Sequence, residues 1–108
     1  MAKQTIVLVC SAGMSTSLLV LNMERAIEAR GLDIDVFAIS GSDVADFLEK
    51  RPINVMLLGP QVRFMKRQFG PILEPRGIPV EVITMKDYGL MDGESVLIWA
   101  EELMKGAN

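Results

Sequence analysis

The sequence predicts an α/β domain of three layers, a doubly wound sheet of four parallel strands in the order 2-1-3-4 with helices on both faces. Two observations carry this prediction. Strand-like and helix-like patterns alternate along the chain, and two strand-like runs, Thr5 to Val9 and Asn54 to Leu58, are almost continuously apolar or β-branched. Such runs mark strands covered on both faces, so they belong together in the middle of the sheet. With those two in the middle, the second strand lies outside the first and the fourth outside the third, joined by right-handed crossovers. The crossover direction reverses between the first and third strands, and open α/β sheets bind ligands beyond the carboxyl ends of the strands at such a point. Here those ends carry Cys10 to Ser17 and Gly59-Pro60-Gln61.

Thr5-Ile6-Val7-Leu8-Val9 is the first, central strand. From Thr16 to Arg30 the spacing turns helical. Leu19, Met23, Ala26, Ile27 and Arg30 recur at intervals of three or four, Glu24 and Glu28 lie outside, and Gly31 supplies a stop. Ser15 or Thr16 is the expected N-cap. Asp33 to Ile39 begins by alternating acidic and apolar residues, as an outer strand does, until Ser40-Gly41-Ser42 breaks it. A short helix from about Asp43 to Lys50, capped by Ser42 or Asp43, leads to the second central strand. Beyond it Val62, Met65, Phe69 and Leu73 share one helix face, which Gly70-Pro71 is expected to kink or restart. Pro79 to Thr84 alternates like an edge strand, with Pro79 at its start, where a missing donor is harmless. The last helix begins at Asp92 or Gly93, turns Val96, Trp99, Ala100 and Leu103 inward, and closes at Lys105-Gly106. No repeat or linker divides the chain, so residues 1–108 are expected to form a single domain.

Half of the 108 residues are hydrophobic and 23% are charged, a balance that suits a compact fold without a disordered arm. The net charge of -3 argues against a nucleic-acid partner, which calls for a basic face. One cysteine and no histidine exclude an intramolecular disulfide, a cysteine cage and the usual zinc ligand sets. Neither a metal nor another cofactor is expected. Lys3 ahead of an apolar run ending in a cysteine resembles an export signal, but the run is shorter than the roughly 7–15 apolar residues such a signal needs. No stretch approaches the roughly 18 apolar residues of a membrane span. The expectation is a cytoplasmic monomer whose lone thiol stays reduced.

The chemistry concentrates in Cys10-Ser11-Ala12-Gly13-Met14-Ser15-Thr16-Ser17, between the first strand and the first helix. Small and hydroxylated residues let the backbone curl and aim successive N–H groups at a bound anion. The positive end of the helix dipole favours negative charge beside the Cys10 sulfur. A cysteine so placed is a nucleophile suited to a phosphoryl group. The plainer reading is a buried, inert cysteine. A strand end that only closes a core has no need of this run of small hydroxylated residues, which favours the nucleophile.

The spacing invites comparison with low-molecular-weight tyrosine phosphatases, whose signature is a cysteine, five residues, an arginine, then serine or threonine. Thr16 stands where that arginine would be, and Ser17 fills the last place. The bidentate clamp that stabilises a hydrolytic transition state is therefore missing. The phosphatase general acid is an aspartate usually followed by proline, and neither Asp87 nor Asp92 is. The loop reads as one that holds a phosphoryl group without hydrolysing it.

With Leu57-Leu58-Gly59-Pro60-Gln61, and with Tyr88-Gly89 ahead of Asp92-Gly93, this motif resembles the IIB component of the bacterial sugar phosphotransferase system, lactose/cellobiose (chitobiose) family. The resemblance spans the chain. It implies a fold similar to that of the low-molecular-weight tyrosine phosphatases, and a phosphotransferase in which Cys10 accepts a phosphoryl group from a phosphohistidine of the IIA protein. Cys10 then passes it to a sugar, a β-glucoside or disaccharide such as cellobiose, chitobiose or lactose, arriving through the membrane transporter IIC. Residues Ser11, Ala12, Gly13, Met14, Ser15, Thr16 and Ser17 take the phosphate-loop role. The absence of histidine agrees, since the donor histidine then lies on another protein or domain. The resemblance further implies peripheral association with the inner face of the membrane through IIC, where sugar specificity mainly resides.

Gln61, beside the loop, is positioned either to donate an amide hydrogen bond to the phosphate or to cap a helix. Arg63, Lys66 and Arg67 form a basic cluster that reads as a solvated helix face, with docking on an acidic partner rim as the sharper alternative. Tyr88, Asp92 and Gly93 flank the loop in turn and N-cap roles, and Met14 is expected to be exposed for docking. Competing functions are a low-molecular-weight phosphatase or arsenate-reductase-like hydrolase, and a redox or binding domain that would need an external thiol to resolve its cysteine.

Overall fold

A strand buried on both faces needs partners on both edges and cover on both faces, and the first strand, buried from Thr5 to Val9, has all four. The computed structural model describes residues 3–10 and 14–106. In it β1 (Gln4–Val9) pairs in parallel with β2 (Ile34–Ile39) on one edge and β3 (Val55–Leu58) on the other, and β3 pairs with β4 (Val80–Val82). The order β2-β1-β3-β4 is the predicted one. Alternate side chains of β1 point to opposite faces. Ile6 and Leu8 join Leu19, Met23 and Ile27 of α1 (Met14–Arg30) and Val96, Leu97, Ala100 and Met104 of the final helix. Val7 and Val9 join Val44, Val62, Phe69 and Leu73 on the other face. Each such fully buried aliphatic side chain is worth roughly 1.5–3 kcal/mol relative to exposure.

The amino end of β1 is tied by side chains. Asn54 Oδ1 accepts from the Thr5 N–H at 2.7 Å, and the Arg51 guanidinium donates to Asp35 at 3.0 Å while lying 4.6 Å from the Phe37 ring centroid. The buried Thr5 hydroxyl is met by Arg51 at 3.3 Å.

Several boundaries differ from those expected. α1 begins at Met14, so Ser15 and Thr16 lie in its first turn and are not its N-cap. The apolar periodicity that located the helix starts only at Leu19, and it says nothing about a first turn of Met14, Ser15, Thr16 and Ser17. Arg30 is exposed and reaches across to Glu101 at 2.7 Å, where an inward position was expected. A long cationic stem keeps its head in water at a helix end. α2 (Val44–Lys50) follows a 3-10 turn, Gly41–Asp43, and Asp43 occupies its cap position without a side-chain capping bond. That carboxylate instead accepts from Ser40 Oγ at 3.0 Å. Gly70-Pro71 neither kinks nor restarts α3 (Lys66–Leu73), where Pro71 forgoes one bond in a helix that ends two residues later. The kink lies upstream, at Val62 (φ -119, ψ 27) in the 3-10 segment Pro60–Met65.

β4 stops at Val82, and Thr84, expected as its last residue, caps an unforeseen short helix, α4 (Met85–Gly89), by accepting from the Asp87 N–H at 3.1 Å. α5 (Gly93–Gly106) buries Leu97 and Met104 as well as Val96 and Ala100, while Trp99 and Leu103 are half-buried. Its first residue crosses α1 with no room to spare. A Cβ on Gly93 would lie 2.4 Å from the Asn22 carbonyl carbon and 2.5 Å from the Met23 nitrogen. Gly93→Ala must push the two helices apart, and is expected to cost about 1–3 kcal/mol. A urea unfolding midpoint equal to wild type would contradict this packing.

Candidate phosphoryl-transfer site

The parallel register brings the carboxyl ends of the strands into one row. The Cys10 N–H donates to Ile39 O at 3.3 Å, the Gly59 N–H to Val9 O at 3.0 Å and the Ile83 N–H to Leu58 O at 2.9 Å. Ser40, Cys10, Gly59 and Ile83 therefore lie side by side across the sheet. Cys10 is the last buried residue of the central run, 3% exposed, and α1 starts four residues later. Ser11, Ala12 and Gly13 lie outside the described residues, as do the side chains of Met14, Ser15 and Thr16, so the expected exposure of Met14 does too. Ser17 is exposed on the first turns of α1.

Beside Cys10 opens a cleft of ≈ 390 Å³, lined among the described residues by Cys10, Ser40, Gly41, Ser42, Met65 and Gln68. The sequence reading assigned no site role to these five neighbours. One signal for Ser40 was available, because a strand paired in register with β1 and ending one residue before Ser40 must deliver it next to Cys10. Met65 and Gln68 come from the segment after β3, and their approach is set by tertiary packing. A Cβ on Gly41 would lie 3.1 Å from Met65 Sδ, so glycine lets the thioether close against the turn.

On the other flank, Gln61 and Tyr88 converge on Gly59. An added Cβ there would sit 3.2 Å from Gln61 Oε1 and 3.7 Å from Tyr88 Cε1. Tyr88 is buried, while Gln61 is exposed and its 3-10 segment has no side-chain capping bond, so the capping reading of Gln61 is not realised. The basic cluster splits. Lys66 pairs with Glu81 on the edge strand at 3.0 Å, whereas Arg63 and Arg67 are exposed. No basic side chain lines the cleft among the described residues. No cluster of His, Cys, Asp or Glu among the described residues is arranged to hold a metal ion.

Asp92 takes the expected cap role. Its carboxylate accepts from the Ser95 N–H at 3.1 Å and from Ser95 Oγ at 2.9 Å, and these bonds hold its carboxyl below the usual range. The turn that precedes it carries Met91 at φ 51, pinned by Asn22 Nδ2 donating to its carbonyl at 2.8 Å. Asp92 and the Met91 turn thus tie the start of α5 to α1.

A family model described as "PTS system, Lactose/Cellobiose specific IIB subunit" matches residues 5–98. The chain belongs to this IIB family. It is 47% identical over 108 residues to the galactose-specific EIIB component of Lactococcus lactis subsp. cremoris, covering 96% of this chain and 99% of that protein. The cellobiose-specific EIIB component of Lactococcus lactis subsp. lactis is equally similar, with 47% identity and the same coverage. Among solved structures, the cellobiose-specific phosphotransferase IIB component protein from Borrelia burgdorferi superposes with a TM-score of 0.81 at 36% identity, covering 99% of this chain and 96% of that one. The IIB chain is accordingly a sugar phosphoryl carrier of the phosphotransferase system, and the phosphatase alternative is not favoured. No helix among its described residues is long and apolar enough to cross a membrane.

A depressed carboxyl in the folded state contributes stability above the unfolded value and loses it as the pH falls through the folded one. Asp92→Ala is therefore expected to lower the melting temperature at neutral pH, with the gap to wild type closing as the pH drops below about 4. A gap independent of pH, read by thermal melts from neutral to acidic buffer, would contradict the cap assignment.

Proposed function

We propose that Cys10 is the residue that carries the phosphoryl group. It takes the group from a phosphohistidine of IIA and gives it to a sugar presented by the membrane transporter IIC, a β-linked disaccharide such as cellobiose, chitobiose or lactose, or galactose. The observation that carries this reading is the position of Cys10: at the carboxyl end of the central strand, at the switch point, ahead of α1 and open to a cleft. In the first step the S–P bond forms as the N–P bond of phosphohistidine breaks. The imidazole nitrogen keeps the electron pair, and the thiol proton balances it. The amides and hydroxyls of Ser11, Ala12, Gly13, Met14, Ser15, Thr16 and Ser17 hold the three equatorial oxygens as charge spreads over them. Gln61, exposed beside Gly59, adds a side-chain amide donor at the rim.

The same chain meets both partners with this one end of the sheet. Arg63 and Arg67 supply exposed positive charge on that approach. The protein works as a monomeric single domain in the cytoplasm and reaches the inner face of the membrane only through IIC. The test is to offer phosphorylated IIA to the wild-type protein and to Cys10→Ser. Wild type takes one label and Cys10→Ser loses acceptance; equal labelling of both contradicts the assignment.

A further inference from the structure

The cleft beside Cys10 has a donor–acceptor pattern that the phosphoryl group itself does not explain. Ser40 Oγ donates its only proton to Asp43 Oδ2 at 3.0 Å, and it lies 2.9 Å from Ser42 Oγ. With that proton committed, Ser42 must be the donor to Ser40. Both hydroxyl protons thus run toward the Asp43 carboxylate, and what the two serines turn to a ligand is lone pairs. A wall of acceptors backed by a carboxylate disfavours an anion and favours a neutral O–H donor. Gln68, exposed, also lines the cleft, with an amide able both to donate and to accept. The Met65 thioether packs on the Gly41 turn and gives the cleft an apolar patch. Among the described residues, the acceptors, one amphoteric amide and a soft apolar surface are the complement of a polyol, whose hydroxyls donate and whose C–H faces pack. The volume, ≈ 390 Å³, falls in the range of roughly 300–1,000 Å³ usual for small-molecule sites.

We propose that this cleft is a subsite of the carrier for the accepting sugar, with Ser42 and Gln68 orienting the attacking hydroxyl toward phospho-Cys10. The proposal rests on the reading of Cys10 as phosphoryl carrier. In the transfer it serves, the P–O bond to the sugar forms and the S–P bond breaks. The sulfur keeps the electron pair, and the hydroxyl proton balances the released thiol. Specificity is then shared: IIC delivers the sugar, and the carrier selects which hydroxyl meets phosphorus. The donor imidazole offers no such polyol face, so the first half-reaction does not depend on these side chains.

The experiment separates the half-reactions. Ser42→Ala and Gln68→Ala, both at exposed positions, are charged from phosphorylated IIA and scored for phospho-Cys10 formation. Each charged protein is then given membranes carrying IIC with cellobiose, and separately with galactose. The expected result is charging at the wild-type rate, with transfer to at least one of the two sugars about tenfold slower, the loss typical of one oriented hydrogen bond. Equal losses in both half-reactions would overturn the sugar subsite in favour of a general role in the cleft, and unchanged transfer to both sugars would overturn it outright. Cys10→Ser run alongside distinguishes these outcomes from failure of the carrier reading, since only that failure would leave Cys10→Ser charged like wild type.

Discussion

β1 has no side chain in water from Thr5 onward, and that constraint arranges the rest of the molecule. Strands on both edges satisfy its backbone groups, and helices on both faces cover its side chains. α1 and α5 take the Ile6 and Leu8 face, and α2 and α3 take the Val7 and Val9 face. The chain can leave such a strand only at its end, between crossovers that part in opposite directions. Cys10 is placed there by packing before any chemistry is asked of it. The close approach of Gly93 to the backbone of Asn22 and Met23 holds α5 against α1, the helix that follows the cysteine in the chain.

From that placement follows a particular way of handling phosphate. A phosphatase needs a rigid cationic clamp and an acid to drive water through the intermediate. The sequence has threonine at position 16, and the cleft beside Cys10 shows serine, glutamine and methionine side chains among its described residues and no cation. On the proposed reading the helix terminus is the charge that remains, and a helix dipole contributes a modest amount, about 0.3–1 kcal/mol at an exposed site and up to about 2 kcal/mol at a partly buried one. Modest stabilisation suits a carrier, since a phosphoryl group held too firmly would not leave for the sugar.

The central sheet was legible because burial on both faces writes itself into the sequence as uninterrupted apolar runs, and two such runs among four strands leave one economical order. The catalytic candidate was legible from Cys10 and the small residues after it. Elements with little burial were harder to read. α4 hides in Met85–Gly89, whose only buried residue is Tyr88, and its cap Thr84 continues the alternation of the edge strand. The start of α1 carries no apolar periodicity, and the 3-10 segment Pro60–Met65 resembles a helix start from its apolar spacing alone. The cleft drew on three separate segments, and its hydrogen-bond direction depends on Ser40, Ser42 and Asp43 meeting in one turn. Residue types gave the polarity of that turn, but only the fold brought it beside the thiol.

The central claim is that the site holds a phosphoryl group on sulfur and does not let water take it. Its most direct test is to charge the isolated protein fully, remove the donor, and follow both protein-bound phosphoryl and free phosphate over time. The account predicts a plateau at one phosphoryl per chain, with little free phosphate released until IIC and sugar are added. Continuous release of phosphate by the protein alone would contradict it.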